Sequence, residues 1–401
     1  MDLKLSKEDQ AFQEEVRSFL KENLTEDIRY NTALGGAVRS DPATGDKWAR
    51  ILGQKGWLAY TWPKEMGGPG WNSVQRYIFE SECALAGTPL VNSMGFRMVG
   101  PIIHKFGTDE QKAEHLPRIA RHELNWCQGY SEPGSGSDLA SLQTQAKSDG
   151  DDYIVNGTKI WTTGAHYGDM CFCLVRTSNE GKKQEGISFL LIDMKAPGVT
   201  VQPIIMLSGD HDLNQVFFDD VRVPKSNRVG AENEGWTVAK YLLEFERGAV
   251  AYTPALKAGI LDIRKIASME RNGMGGSLME DDDFRRRLTN LEVEVISAEY
   301  TEKRFMSALS QGQNPGPKAS MFKLMGSEIG QRLSELRMDA ISYYAVPNEP
   351  ETREPSSNKR FVGPEYAQAV TAKHLNGRAS TIYAGSSEVQ RTILSKQMLG
   401  L

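Results

Sequence analysis

The sequence predicts an α+β fold of three domains: an N-terminal helical domain, a middle β domain and a C-terminal helical bundle. Apolar residues recur at helical spacing over 1–125, strand-like apolar runs and turn signals fill 126–232, and long helical patterns return over 233–401. A chain of 401 residues is also long enough for more than one packed core. We therefore predict domain boundaries near residues 125 and 232.

The N-terminal region contains the first helix signal. Ser6 followed by Asp9 predicts a capped helix start, because the two side chains can satisfy free backbone N–H groups of the first turn. Further helices are predicted over 74–86 and 109–120, between loops rich in glycine and proline.

The middle region is predicted to be a compact β domain. Asn156-Gly157 lies between two apolar runs and predicts a β-hairpin turn, since both residues tolerate positive φ. The apolar run 187–192 predicts a buried strand, and further strand segments are predicted at 215–218 and 221–223.

Long helices are predicted for the C-terminal region, over 236–265, 284–311, 318–344 and 387–397. The polar segment 347–364 is rich in proline, which favours an exposed excursion over a helix. The order of helices, strands and helices is informative in itself, because few common enzyme folds have it.

Composition argues against several classes of protein. The 47 basic and 52 acidic residues give a net charge of -5, which leaves no electrostatic footprint for nucleic acid. No apolar run approaches the roughly 20 residues that a membrane helix needs, and the first six residues lack the features of a secretory signal. We therefore expect a soluble, cytoplasmic bacterial protein with neither nucleic-acid nor membrane partners.

Cysteine and histidine usage argues against a disulfide framework and against a metal site. The four cysteines form no paired C-x-x-C, and the six histidines are scattered without H-E-x-x-H spacing. Cys171 and Cys173 should instead point to one face of a strand, because side chains alternate along it.

Four segments carry residue types suited to cofactor binding or catalysis. The densest, 129–138, is a glycine-rich turn whose hydroxyls and backbone N–H groups suit anionic or ring-carbonyl acceptors. Segment 156–164 places an aromatic residue beside two hydroxyls, 382–391 is a small-residue turn that opens the last helix, and 242–247 puts two carboxylates in an apolar helix. Taken singly, each has an ordinary explanation: a surface loop, a core tryptophan, a helix start and a solvated helix face.

In this order and spacing, the four segments resemble the acyl-CoA dehydrogenase family. The most specific parts are Ser-Glu-Pro-Gly-Ser-Gly-Ser-Asp at 131–138 and Asn-Gly-x-Lys-x-Trp-x-Thr at 156–163. The resemblance covers essentially the whole chain and is strongest to the large subunit of pimeloyl-CoA dehydrogenase and related bacterial enzymes. It implies the three-domain fold of that family and a flavin-dependent oxidoreductase of acyl-CoA catabolism.

The resemblance implies FAD as the cofactor. Ser131 would hydrogen-bond the pyrimidine side of the flavin ring and Thr163 would contact N5, where hydride arrives; donors there favour the reduced, anionic ring. Glu388 departs from the family, since many members have glutamine there and a carboxylate cannot donate. The positions that match FAD contacts are Gln128, Tyr130, Ser131, Trp161, Thr163, Gly385, Ser386 and Glu388.

The resemblance also implies the position of the catalytic base. Most members have a glutamate where this chain has Ala384, which cannot take a proton. A minority use a glutamate followed by arginine on the helix after the β domain, and Glu246-Arg247 fits that pattern. Glu244 lies about 200° away around a helix, so both carboxylates cannot face one pocket, and we predict Glu246 as the base. The matching substrate contacts are Ser137, Glu244, Arg247 and Tyr383.

The implied reaction is α,β-dehydrogenation of an acyl-CoA thioester to the trans-2-enoyl-CoA. Glu246 would remove the α-proton while the β-hydrogen leaves as hydride to the flavin, and electrons would pass on to an electron-transfer flavoprotein. A dry pocket would raise the pKa of the carboxylate towards neutrality, which helps it to act as a base.

Two departures from the family bear on assembly. The Arg-x-x-Phe-Gly segment that members supply to a neighbouring subunit's FAD is replaced by Arg-Asn-Gly-Met-Gly-Gly at 271–276. The Gln-x-x-Gly-Gly segment at the adenine end is not recognisable, and the excursion 347–364 lies near its place. We therefore predict a homo- or hetero-tetramer whose FAD site is complete only with help from another subunit, such as a paired small subunit.

Two other functions and the identity of the substrate remain open from the sequence. The same fold hosts other flavin chemistry, such as desulfination or nitroalkane oxidation, and a degenerate chain could be a non-catalytic partner subunit. The subgroup resemblance suggests dicarboxylyl, aromatic-side-chain or steroid-side-chain CoA esters. Arg97 could meet a distal carboxylate, although an arginine that snorkels to the surface is the more common situation.

Overall fold

Helical regions flank a β-sheet region along the chain in the computed structural model, which describes residues 5–36, 41–248, 253–310 and 318–401. The predicted order of helical, β and helical regions is confirmed. The side chains at 243–248, 309–310 and 318–319 lie outside the described part.

The N-terminal domain is built around a core rich in tryptophan. Ser6 caps the first helix as predicted, with its hydroxyl accepting from the backbone N–H of Asp9 at 3.0 Å. Trp57 and Trp71 are buried with ring centroids 5.3 Å apart. The predicted helices over 74–86 and 109–120 are confirmed. The helices are α1 (Lys7–Asn23), α2 (Glu26–Leu34), α3 (Pro42–Lys55), α4 (Ser73–Ala86), α5 (Gly100–Phe106), which a π-helical turn (Met94–Val99) precedes, and α6 (Asp109–Ala120).

The middle domain is a single mixed sheet of eight described strands. They are β1 (Trp126–Gly129), β2 (Gln145–Asp149), β3 (Asp152–Lys159), β4 (Met170–Arg176), β5 (Ile187–Asp193), β6 (Val199–Ile205), β7 (His211–Pro224) and β8 (Arg228–Val229). Their order is β6-β7-β3-β2-β4-β5-β8, and β1 pairs in parallel with β4. The run predicted at 187–192 is the buried strand β5, whereas the two segments predicted at 215–218 and 221–223 belong to the one strand β7.

The hairpin predicted at Asn156-Gly157 is wrong. Strand β3 continues through these residues, and its register with β7 shifts between Val155 and Gly157, which marks a β-bulge. The tight turn lies earlier, at 150–151, between β2 and β3. Glycine is needed at 157 for another reason: its φ is +152°, and a Cβ there would lie 2.6 Å from Cα of Thr144.

Side chains of β4 alternate between two cores. Phe172 and Leu174 pack into the core shared with the N-terminal helices, whereas Cys171 and Cys173 pack among the apolar residues on the other face of the sheet. The prediction that both thiols share one face is confirmed. Burial raises the pKa of the Cys173 thiol well above its ordinary value, so this thiol is an unreactive core group.

The C-terminal domain is a helical bundle with an apolar core of its own. Its helices are α7 (Gly235–Gly248), α8 (Thr253–Met269), α9 (Asp282–Ser310), α10 (Lys318–Ile341), α11 (Val370–Gly377) and α12 (Ser387–Leu394), which a π-helical turn (Ser395–Leu399) extends. The helix predicted over 236–265 is divided between α7 and α8, and those predicted over 284–311 and 318–344 correspond to α9 and α10. Among the described residues, no helix combines the length and the apolar character that crossing a membrane requires.

The polar segment 347–364 forms no α-helix, as predicted, but only its second part is the exposed excursion that its prolines predicted. Arg353 is buried, and its guanidinium forms an ion pair with Asp210 at 2.7 Å and donates to the carbonyl of Ser208 at 2.9 Å. The first part of the segment, 347–353, therefore packs against the turn between β6 and β7. Composition could not reveal this, because one buried arginine supplies the anchor.

Candidate active site

A buried ion pair holds the first motif, the glycine-rich segment 129–138, in place. Lys159 is fully buried, and its Nζ donates to Oε1 of Glu132 at 2.8 Å. The same carboxylate accepts from the backbone N–H groups of Gln143 at 2.6 Å and Thr144 at 2.9 Å. Burial opposes ionisation of Glu132, but Lys159 and these donors outweigh it, so the pKa of the carboxyl lies below its ordinary value. The network ties the loop after β1 to the end of β3.

One backbone hydrogen bond joins the first motif to the second motif, which is the segment 156–164. The N–H of Ile160 donates to the carbonyl of Ser131 at 2.9 Å. Gln128 is half-buried at the end of β1, Tyr130 is buried, and Ser137 is exposed farther along the loop. The structure therefore brings together predicted flavin contacts from two motifs and leaves Ser137 in solvent.

Trp161 combines an exposed side chain with a strained backbone. The residue is 56% exposed and its φ is +60°, a conformation that residues other than glycine adopt rarely and at an energetic cost. Its neighbours are anchored on both sides, since Ile160 donates to Ser131 and the N–H of Thr162 donates to the carbonyl of Asn214 at 2.9 Å. A large aromatic ring held in this way offers a flat apolar face to a ligand beside the first motif.

A buried asparagine on β7 holds the residue that follows Trp161. Asn214 is completely buried, and its side-chain amide donates to the carbonyl of Thr162 at 3.0 Å, so that both backbone polar groups of Thr162 are bonded to it. Sequence reasoning missed Asn214, because an asparagine within an alternating strand carries no motif signal.

Two histidine rings complete this arrangement. The amide nitrogen of Asn214 donates to Nδ1 of His166 at 3.0 Å, and its oxygen accepts from Nε2 of His211 at 2.8 Å. The two rings stack with centroids 4.0 Å apart. Burial, and then the neighbouring His211, lower the pKa of His166 to about 4. The ring of His166 is therefore uncharged at neutral pH and keeps Nδ1 as an acceptor.

The third motif, which is the segment 382–391, forms a tight turn before α12. Ala384 and Gly385 both have positive φ, of 54° and 81°. The buried side chain of Gln390 braces the turn by donating to the carbonyl of Ala384 at 3.0 Å. A Cβ at Gly385 would lie 2.5 Å from that amide nitrogen, which explains the glycine. Ser386 caps α12 by accepting from the N–H of Val389 at 3.3 Å, so the predicted helix start is confirmed.

Helix α7, which carries the predicted base, lies between domains. Its first half is buried through Val238 and Leu242, and it packs against β5, the π-helical turn before α5, and α10. The side chains of its second half fall outside the described part of the chain, and these include the candidates Glu244, Glu246 and Arg247.

Each region of the chain matches a known protein family. Models of the acyl-CoA dehydrogenase N-terminal, middle and C-terminal domains match residues 6–123, 127–221 and 233–399. The chain belongs to the acyl-CoA dehydrogenase family. Members of this family are FAD-dependent oxidoreductases, and the family resemblance of the motifs is confirmed.

This acyl-CoA dehydrogenase is similar over its full length to bacterial relatives. It is 35% identical to acyl-CoA dehydrogenase IpdE1 of Mycobacterium tuberculosis, over 98% of this chain and 97% of the relative. The solved ChsE4-ChsE5 complex of the same organism has a TM-score of 0.85 at 31% identity, over 100% of this chain and 99% of that one. A structure described as the Tcur3481-Tcur3483 steroid acyl-CoA dehydrogenase has a TM-score of 0.85 at 27% identity, with 100% and 99% coverage.

Buried polar atoms in the motifs of this acyl-CoA dehydrogenase fit a flavin nucleotide. Oγ1 of Thr162, beside Trp161, is buried and has no hydrogen-bond partner among the described residues, and the same holds for Oγ of Ser387 and Oε1 of Gln390 at the third motif. A buried polar atom left unpaired is costly, so a ligand or water commonly completes such a group. The ring and ribityl–phosphate chain of FAD carry suitable donors and acceptors.

The third motif lies in a different domain from the first two. Gly385 and Ser386 are half-buried, Glu388 is exposed, and Tyr383 is 47% exposed. Helix α12 packs against α10, which in turn packs against α7. Among hydrogen bonds between described residues, none links this turn to the first two motifs.

Proposed function

We propose that this chain dehydrogenates acyl-CoA thioesters to trans-2-enoyl-CoA, with FAD as the hydride acceptor and Glu246 as the base. The observation that carries the proposal is the exposed, strained Trp161, held between Ser131 and Asn214. Backbone strain of this kind persists only where surrounding bonds enforce it, and it clusters at ligand-binding sites. The strained backbone at Trp161 therefore supports binding of a flat aromatic ligand, such as a flavin, beside this ring.

The motifs would bind FAD through complementary contacts. The ring of Trp161 would pack beside the flavin, while Ser131 and Thr163 would hydrogen-bond it. Gly385 and Ser386 would offer backbone N–H groups at the start of α12, a position that favours anionic groups. When bound, FAD supplies the acceptor for the β-hydrogen of the substrate.

We propose Glu246 as the base because position 384, where most relatives have their base, carries no side chain that can accept a proton. Ala384 occupies the place of the base in most relatives, and a methyl group cannot accept a proton. Glu246 lies on α7, whose first half packs against both the sheet and the N-terminal domain. From this helix Glu246 would accept the α-proton of the thioester. Glu244 and Arg247 lie elsewhere around the helix and would contact the CoA part of the substrate.

We further propose that the enzyme is a tetramer and works with a paired small subunit. The turn around Met274, which replaces the family's Arg-x-x-Phe-Gly segment, leaves that methionine 94% exposed. The ChsE4-ChsE5 relative is itself a complex of two components. An electron-transfer flavoprotein would then accept the electrons, and the steroid enzyme among the relatives favours a bulky or polar acyl group over a plain fatty chain.

The decisive experiment compares Glu246→Gln with the matched control Glu244→Gln in FAD-loaded protein. We expect a panel of acyl-CoA esters to bleach the flavin absorbance of the wild type. Glu246→Gln should keep FAD but reduce the bleaching rate by about a thousandfold, within the range of general-base catalysis, whereas Glu244→Gln should stay within about tenfold. Near-normal bleaching in Glu246→Gln would refute the assignment. A chain that binds no FAD even when it is prepared together with its paired subunit would instead indicate a non-catalytic subunit.

A further inference from the structure

Arg176, the last residue of β4, connects two loops through its buried side chain. Its Nη2 donates to the carbonyls of Ala140 at 2.7 Å and Leu142 at 3.4 Å, in the loop that follows the first motif. Its Nη1 donates to the carbonyls of Lys183 at 2.9 Å and Glu185 at 2.8 Å, in the loop between β4 and β5. One guanidinium group therefore holds the main chain of both loops.

Few other bonds connect these two loops. We call the segment 133–142 the motif loop and the segment 177–186 the β4–β5 loop, and both are exposed at their tips. Among the described residues, the other side-chain bond between them is the ion pair of Lys183 with Asp138 at 3.2 Å. Both partners of that pair are largely exposed, and exposed ion pairs contribute little to stability. Arg176 is therefore the main connection between the loops.

The buried position of this guanidinium is unfavourable for its charge. Burial lowers the pKa of Arg176, and the negative charge of Glu132 offsets part of this effect. An apolar side chain would avoid the cost of desolvation. A guanidinium, however, offers several N–H donors in one rigid plane, so it can bind carbonyl groups of two backbone segments at once. Fixing the two loops relative to each other is what an arginine provides here.

The flavin side of the first motif has a different anchor. Ser131, which matches a flavin contact of the family, accepts from the N–H of Ile160 at 2.9 Å, and Lys159 holds the residue after it through the buried ion pair. The guanidinium of Arg176 bonds to none of these residues. Ser137, which matches an acyl-CoA contact, lies instead in the loop that Arg176 holds. Arg176 therefore acts on the substrate side of the motif.

We propose that Arg176 is a positioning residue for acyl-CoA, which holds the motif loop and the β4–β5 loop together as one edge of the substrate site. The inference rests on the proposed function and adds to it a loop that none of the four motifs includes. A loop that is kept in its binding conformation binds more tightly than one that samples others, because the apparent affinity scales with the fraction of competent protein. Arg176 thereby increases the affinity for acyl-CoA without touching it.

Binding of an unreactive ligand tests this role separately from catalysis. S-alkyl CoA thioethers of several chain lengths are titrated by calorimetry into FAD-loaded protein that includes the paired subunit. We expect Arg176→Met to weaken binding of the tightest thioether by about tenfold or more, while FAD affinity stays within about threefold. The exposed Arg222 of β7, which pairs with Asp149 at 2.7 Å, provides the matched control, and Arg222→Met should change neither affinity.

Hydrogen exchange in the wild type provides a test that does not depend on folding of a variant. Saturation with the same thioether should slow amide exchange in the motif loop and in the β4–β5 loop, because Arg176 couples the two. Slower exchange in the motif loop alone, or in neither loop, would overturn the inference.

Flavin bleaching by the corresponding thioesters distinguishes positioning from a general structural role. Arg176→Met should raise the thioester concentration for half-maximal bleaching by about tenfold or more and leave the maximal rate within about threefold, whereas a structural defect would lower FAD affinity and the maximal rate as well. Undiminished thioether affinity in Arg176→Met, or an equal loss of FAD affinity, would overturn the inference and leave the proposed function standing. Thioether binding that depends on Arg176, without bleaching of the wild type by any thioester, would support the positioning role and refute the dehydrogenase proposal.

Discussion

Asn214 bonds to both backbone polar groups of Thr162: its carbonyl accepts from the Thr162 N–H at 2.9 Å, and its side-chain amide donates to the Thr162 carbonyl at 3.0 Å. This explains how Trp161, one residue earlier, is kept at a φ of +60°. A residue of β7 thereby determines the backbone shape of the motif after β3, and with it the direction of the exposed ring.

Replacing Asn214 with alanine should weaken FAD binding. The change leaves the carbonyl of the buried Thr162 without its donor, which costs about 1–3 kcal/mol, and it releases the strained backbone at Trp161. We expect a loss of FAD affinity of about tenfold or more, measured by fluorescence titration of the apoprotein.

Asn227→Ala is the matched control for that measurement. Its amide donates to the Leu191 carbonyl at 3.0 Å, away from the three motifs, so its loss should affect stability and leave FAD affinity unchanged. If both variants lose the same affinity, Asn214 has no specific role in the site.

The free energy of unfolding should decrease as the pH is lowered, partly through His166. Its pKa is lowered from 6.5 to about 4 in the folded chain, so the unfolded chain binds a proton that the folded chain refuses between these values. The contribution is fully present above about pH 6.5 and is lost as pH falls towards 4. His166→Gln removes this titration. Urea unfolding at pH 7 and pH 5 should therefore show a smaller pH-dependent decrease for the variant, and identical decreases would contradict the assignment.

Lys159→Met should destabilise the chain strongly. The substitution leaves the Glu132 carboxylate buried without its counter-ion, and breaking a buried pair in this way costs about 3–5 kcal/mol. The double variant Lys159→Met/Glu132→Gln removes both charges and should recover a large part of that loss in chemical denaturation. A double variant no more stable than the single one would show that packing, and not the ion pair, is the main contribution.

Gly157→Ala should cost about 1–3 kcal/mol, because φ is +152° and the new methyl would lie 2.6 Å from Cα of Thr144. Gly134 lies in the first motif, where a Cβ would meet nothing within 4 Å. Gly134→Ala should accordingly leave the unfolding midpoint nearly unchanged. Equal midpoints for the two variants would mean that the bulge of β3 relaxes around the methyl group.

Local patterns in the sequence determined much of the architecture. The cap at Ser6, the buried run of β5 and the helix start at Ser386 follow from side-chain periodicity and from hydrogen bonds within one turn, so neighbouring residues suffice to predict them. The motifs likewise identified the family, because their residue types and order are specific.

Only the tertiary structure decided which distant residues meet. The chemistry of Asn156-Gly157 permits a turn, but the pairing of β3 with β7 and the approach of Thr144 make it a bulge. Asn214 and Arg353 carry no local signal, because their roles depend on partners many residues away in the chain. Arg97, which sequence reasoning favoured as a snorkelling surface arginine, likewise pairs with Glu80 of α4 at 2.9 Å. Hydrogen bonds and charges act through space, and a sequence pattern reports only what lies within a few residues along the chain.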